Sequence, residues 1–206
     1  MEFKKTETLE ELVTRIELSN EKFIKLSKAK QRVVIAQDCL DRIKINQLKP
    51  LNCKFIDDND LKTIVLGSDS DVFLDSVTEV ASCSLKEKFN VMPVCSACAK
   101  GSLLLSFVGR INSFDVNDLS FKNNNDSNDK SHSKLLEIFD VRQLALIEMA
   151  FEDCLYISET QEGKPINFTK NTHKKASEFW YNYDYSRDRM IAICKNIIEN
   201  KGTFKL

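Results

Sequence analysis

The chain has 206 residues, 42% hydrophobic and 30% charged, which suits one domain able to bury a core without disulfide staples. Its formal net charge of −1 gives no global basic field for nucleic acid and no acidic tail. With only five glycines and three prolines, chain breakers are scarce, which favours helices joined by short connections over a sandwich or barrel.

The opening "MEFKKTETLEELVTRIELS" is charged and amphipathic, without the apolar core of a signal segment. Thr8 and Glu11 form a capping box, and Leu9, Leu12, Val13 and Ile16 recur at helical spacing, so residues 1–26 read as an N-terminal helical segment. Ser27 is placed to cap the next helix. Its apolar face takes Val33, Val34, Ala36, Cys39, Leu40 and Ile43, and Pro50 closes the unit. Between 51 and 91 the pattern loosens. "CKFI" and "KTIVLG" suit short strands or buried turns, and "DVFLDSVTEVASC" fits a helix or a strand.

Pro93 suits the first turn of a helix running to about Arg110. Gly101 inside it is expected to mark close packing against a neighbour. Residues 120–134, "SFKNNNDSNDKSHSK", are almost free of apolar side chains and read as a flexible polar insertion, dispensable for folding. Asp140 caps a strong helix, with Gln143 as its box partner and Leu144, Ile147, Ala150, Phe151 and Leu155 as its buried stripe. "QEGKP" turns the chain into a short helix ending in aromatics. A last helix runs from a Ser186 cap through Ile191, Cys194, Ile197 and Ile198 to a stop at Gly202. The fold class is therefore mainly α: a single multi-helix domain over 1–206, with a small β-element between 51 and 91 allowed.

Cys95 and Cys98 raise the first chemical question. A zinc site usually needs two close ligand pairs, and no second CxxC or HxxxH stands in the chain. Cys53, Cys83 and His132 could complete one only through tertiary contact. A redox pair would follow a strand in a βαβ unit, which the pattern does not suggest. The remaining reading is packing, with both thiols on one face of the 93–110 helix as small buried hydrophobes. No metal and no cofactor is expected. With an odd count of seven cysteines and no signal segment, reduced thiols in a cytoplasm are expected. No run reaches membrane-spanning length.

No phosphate-binding glycine loop, nucleophile elbow, HExxH or dinucleotide fingerprint stands in the sequence, and "DDND" and "SDSD" lack the glycine and distal glutamate of a calcium loop. The richest stretch is "EFWYNYDYSRDR". Trp180, Tyr181, Tyr183 and Tyr185 cluster there with Arg187 and Arg189, and Lys174 and Lys175 stand upstream. Aromatics that stack a base beside cations that hold phosphate, near a helix start, make a nucleotide-type ligand site. The competing reading is structural: aromatics at a helix junction, and arginines paired with Asp184 or Asp188.

Three stretches together, "RVVIAQDCLDRIK", "VCSACAKGSLLLSFV" and "RDRMIAICKNIIENKGTFKL", resemble a group of small proteins carried by tailed bacteriophages and prophages. The resemblance rests on Ala36, Asp38 and Leu40; on Cys95, Cys98, Ala99 and Gly101; and on Asp188, Arg189, Ile197, Ile198, Asn200, Gly202, Thr203 and Phe204. The N-terminal helix and the polar insertion lie outside it. It implies a setting and no reaction: an accessory binding protein in the host cytoplasm that counteracts host defence, either by sequestering a nucleotide-type immune signal or by binding a host defence protein. The alternatives are a protein-interaction or regulatory module with no small-molecule ligand, and a nucleotide hydrolase whose site is assembled from distant residues. A nucleic-acid or membrane partner is not expected, and a homo-oligomer is allowed.

Overall fold

The computed structural model describes residues 8, 22–52, 56, 95–108, 134–153 and 166–206. Among them stand five helices and two short strands: α1 (Lys28–Lys44), β1 (Leu48–Pro50), β2 (Cys95–Ala97), α2 (Ala99–Val108), α3 (Val141–Glu152), α4 (Lys170–Tyr181) and α5 (Ser186–Glu199). The protein is mainly α with one small parallel sheet, as its breaker-poor sequence predicts. Of the predicted N-terminal helix over 1–26, only residue 8 and residues 22–26 are described, with Phe23 buried, and of the polar insertion only its last residue, Lys134; the rest of both lies outside the described residues.

α1 starts where Ser27 Oγ accepts a bond from the Lys30 N–H at 3.4 Å. Its inner face, Ile35, Ala36, Cys39, Leu40 and Ile43, is buried, and its most extensive neighbour is α5. It ends at Lys44 with Ile45 as its C-cap, and the next residue, Asn46, has a φ of 59°, a left-handed conformation that asparagine tolerates better than most residues. One turn earlier, Arg42 and Asp38 form a fully buried ion pair, Nε to Oδ2 at 2.7 Å. Arg42 Nη1 also donates to Gln47 Oε1 at 2.5 Å. A buried charge is tolerated only when paired and hydrogen-bonded. Spaced i,i+4, the pair satisfies that rule and ties the end of α1 to the residue that leads into β1.

β1 runs parallel to β2 in the register Leu48↔Cys95, Lys49↔Ser96 and Pro50↔Ala97. Pro50, which has no N–H to give, is the last residue of its strand. The strands flank the 51–91 interval rather than lying within it, and Ile56 adds one antiparallel bridge to Ala97. The helix expected from Pro93 begins only at Ala99. Residues 95–97 are drawn into pairing with β1, an attraction exerted from more than forty residues away in sequence. Every residue of α2 except Lys100 is buried, which makes it the central helix of the core.

α3 begins at Asp140, whose carboxylate accepts from the Arg142 N–H at 2.8 Å. The predicted box partner Gln143 does something else. Its amide accepts from Phe204 N–H at 2.7 Å and donates to Phe204 O at 3.3 Å. Asn196 holds Lys205 in the same reciprocal way, at 2.9 and 2.8 Å. These two side-chain amides imitate a strand partner for the C-terminal tail, and Phe204 is thereby buried. Gly202 makes the turn into the tail, with φ at 91° and its N–H on Ile197 O at 2.7 Å. A Cβ there would collide with the backbone carbonyl of Ala29 at the start of α1. Arg32 then closes the seam by donating to Gly202 O and Ile138 O at 2.5 and 2.7 Å. The "NIIENKGTF" stretch is thus a docking device that brings the chain end back onto α1 and α3.

Candidate functional site at the α4–α5 corner

α4 is a peripheral helix. Thr169 caps it at 3.1 Å from the Thr172 N–H, it packs mainly on α3, and Ala176 is its one buried residue. Its last turn runs into the Asn182–Tyr185 connection and then α5, so Trp180, Tyr181, Tyr183, Tyr185, Arg187 and Arg189 all gather at one corner. Lys174 and Lys175 stay about two turns back along α4.

The aromatic residues divide by burial. Phe179 faces the core, edge-on to Phe204 at 5.5 Å, and also touches Tyr183 at 5.3 Å. Trp180 is half-buried and meets Tyr181 edge-on at 4.9 Å. Tyr181 and Tyr185, on either side of the turn, are 72% and 71% exposed, the two most open large hydrophobic side chains among the described residues. Tyr183 is half-buried and belongs to the support of the corner.

The two arginines play different parts. Arg189 is buried, and its guanidinium lies over the Trp180 ring at 4.6 Å and beside the Phe151 ring at 5.8 Å. It donates from Nη1 to Phe151 O at 2.5 Å and from Nη2 to Tyr183 O at 3.0 Å. It therefore clamps the end of α3, the last turn of α4 and the turn into α5 together. Burial lowers its pKa, while the Glu152 and Asp153 carboxylates work in the opposite direction. Its partners are backbone carbonyls, not the neighbouring carboxylates that a purely structural reading of the sequence suggests. Arg187 is exposed and gives one bond, to Ile43 O at 3.3 Å, over the end of α1.

Ser186, expected as the cap of α5, instead directs its hydroxyl to Asn52 Oδ1 at 2.7 Å. The N-cap is Tyr185, whose side chain makes no capping bond to the first N–H groups of this helix, and Asp188 stands in its first turn. The Ser186–Asn52 bond also brings the 51–52 segment beside the corner, and Leu51 there is 40% exposed. Trp180 Nε1 and Arg189 Nε are buried donors without a conventional acceptor. For Arg189 the indole face beneath the guanidinium is the compensating contact. For Trp180 there is none among the described residues. Along α4, Lys174 pairs with Glu178 at 3.7 Å with both side chains exposed, and Lys175 is exposed. Such a surface pair is worth little.

The cysteines lie elsewhere. Cys95 belongs to β2 and Cys98 stands immediately before α2, so they do not share a helical face as expected, although both are buried. Burial pushes the Cys98 thiol up to about 12, and Glu148 and Glu152 push it the same way, against the Gly101 N–H it accepts and the Lys100 charge. Lys100 itself pairs with Glu148 at 2.6 Å. Between α1 and α5 the Cys39 and Cys194 thiols hydrogen-bond to each other, with the Ser106 hydroxyl of α2 beside Cys39. Burial is the main reason the Cys39 pKa lies well above its ordinary value, with Cys194 and Asp38 adding to it. The Cys39 and Cys98 thiols are therefore protonated and inert. Among the described residues no group of His, Cys, Asp and Glu is arranged to hold a metal ion, and Cys53, Cys83 and His132 lie outside them. His173 packs edge-on to Phe168 at 6.2 Å. No described helix is long and apolar enough to cross a membrane.

No protein-family model matches the chain, and no match was found to a curated protein or to a solved structure.

Proposed function

We propose that the protein is an accessory binding protein of the bacteriophage type, which acts by stoichiometric binding at the α4–α5 corner rather than by turnover. Its ligand is a nucleotide-type signal of host defence. The observation that carries this reading is the presence of two exposed rings, Tyr181 and Tyr185, at one corner, the first of them against Trp180, which the buried Arg189 clamp holds. A ring fixed in place before binding loses little freedom on contact, which is how an exposed aromatic becomes an anchor. Arg187 and the α5 N-terminus, which lacks a side-chain cap, supply donors for an anionic group, with Lys174 and Lys175 contributing field along α4. Arg189 serves as support and not as a phosphate ligand.

Stacking contributes about 1–3 kcal/mol per base, and a charge-assisted hydrogen bond about 1.5–3 kcal/mol. Two rings and one or two such bonds reach about 8 kcal/mol, near micromolar affinity. Isothermal calorimetry with linear and cyclic nucleotides, read beside Trp180 fluorescence, tests it. Saturable heat with a fluorescence change supports the reading, and neither signal across both sets overturns it.

A second reading, docking of a host defence protein, is favoured by the exposed Leu51, next in the chain to the Asn52 that Ser186 bonds at the start of α5. Exposed tyrosines are typical anchors of protein interfaces. Copurification of one host protein, lost on substituting Tyr181 and Tyr185, would select it.

A further inference from the structure

We draw no further inference here: the strongest candidate, the cluster of Cys39, Cys194 and Ser106 side chains where α1, α2 and α5 meet, is sealed in the core with the Cys39 thiol held protonated by burial, and so restates the packing role already described.

Discussion

Arg187 and Arg189 stand two residues apart at the start of one helix, and the structure assigns them opposite consequences. Replacing Arg189 by alanine removes two hydrogen bonds from a charged donor, at 2.5 and 3.0 Å, and a guanidinium lying 4.6 Å over Trp180. Bonds of this kind are worth about 1.5–3 kcal/mol each and a buried cation–π contact about 2 kcal/mol. The gross loss, about 5–8 kcal/mol by these figures, is offset because the variant no longer desolvates a charge, an effective cost of several kcal/mol. It is deepened by the void left among Phe151, Trp180 and Tyr183 and by two carbonyls stripped of their donor. The net expected destabilisation is about 3–4 kcal/mol, a large share of the roughly 5–15 kcal/mol that holds a typical domain. Arg187→Ala loses one bond of 3.3 Å at an exposed site and should cost about 0.5 kcal/mol or less. Urea unfolding followed by far-ultraviolet circular dichroism, with Trp180 fluorescence as a second probe, measures both variants against the parent protein. If Arg189→Ala unfolds within about 1 kcal/mol of the parent, the clamp is not what holds the corner, and the separation of the two arginines fails.

Gly202→Ala should lower stability by about 2–4 kcal/mol in the same assay, because φ at 91° strains any side chain and the new Cβ meets the Ala29 backbone; a neutral result would show that the tail is not seated against α1. Gln143→Ala should cost about 1–3 kcal/mol and speed amide exchange at Phe204, the residue whose N–H it accepts, while unchanged exchange would contradict the strand-like seating of the tail. The cysteines predict an alkaline effect. Since folding raises the Cys98 pKa to about 12 from an ordinary 9.0, the folded state keeps a proton that the unfolded chain gives up. That contribution is complete below the unfolded pKa and is lost as pH rises toward the folded one, at a slope of about 1.4 kcal/mol per pH unit. Cys98→Ala should therefore show a shallower loss of stability than the parent between pH 9 and 12, and identical slopes would refute the assignment.

What the sequence revealed was local. Ser27 and Asp140 cap their helices as read, since a cap needs only its own side chain and an N–H two or three residues on. Leu144, Ile147, Ala150 and Phe151 of the predicted α3 stripe are buried, Leu155 lies outside the described residues, and these positions and the glycine stop after α5 follow from spacing alone. Each departure traces to a partner far away in the chain. Gln143 leaves its box for Phe204, Ser186 leaves its cap for Asn52, and Cys95 leaves the expected helix for Leu48. A three-residue strand is too short to show alternation, so only the pairing partner could have revealed it. At the corner, composition singled out the aromatics and the two arginines that gather there, while Lys174 and Lys175 stand back along α4. It could not separate Arg189 from Arg187, because what divides them is the position of the α3 C-terminus, set by the packing of three helices. Leu51 and Asn52 carried no signal of their own that would have placed them beside it.

The binding account stands most directly on what the purified protein carries. Small molecules released by heat, identified by mass spectrometry and quantified against protein concentration, should include a nucleotide in near-stoichiometric amount. The Tyr181→Ala/Tyr185→Ala variant, in which both substituted rings are exposed, should release almost none while unfolding at the same urea concentration as the parent. Recovery of no nucleotide from the parent protein, together with no heat on titration with linear or cyclic nucleotides, would contradict the account.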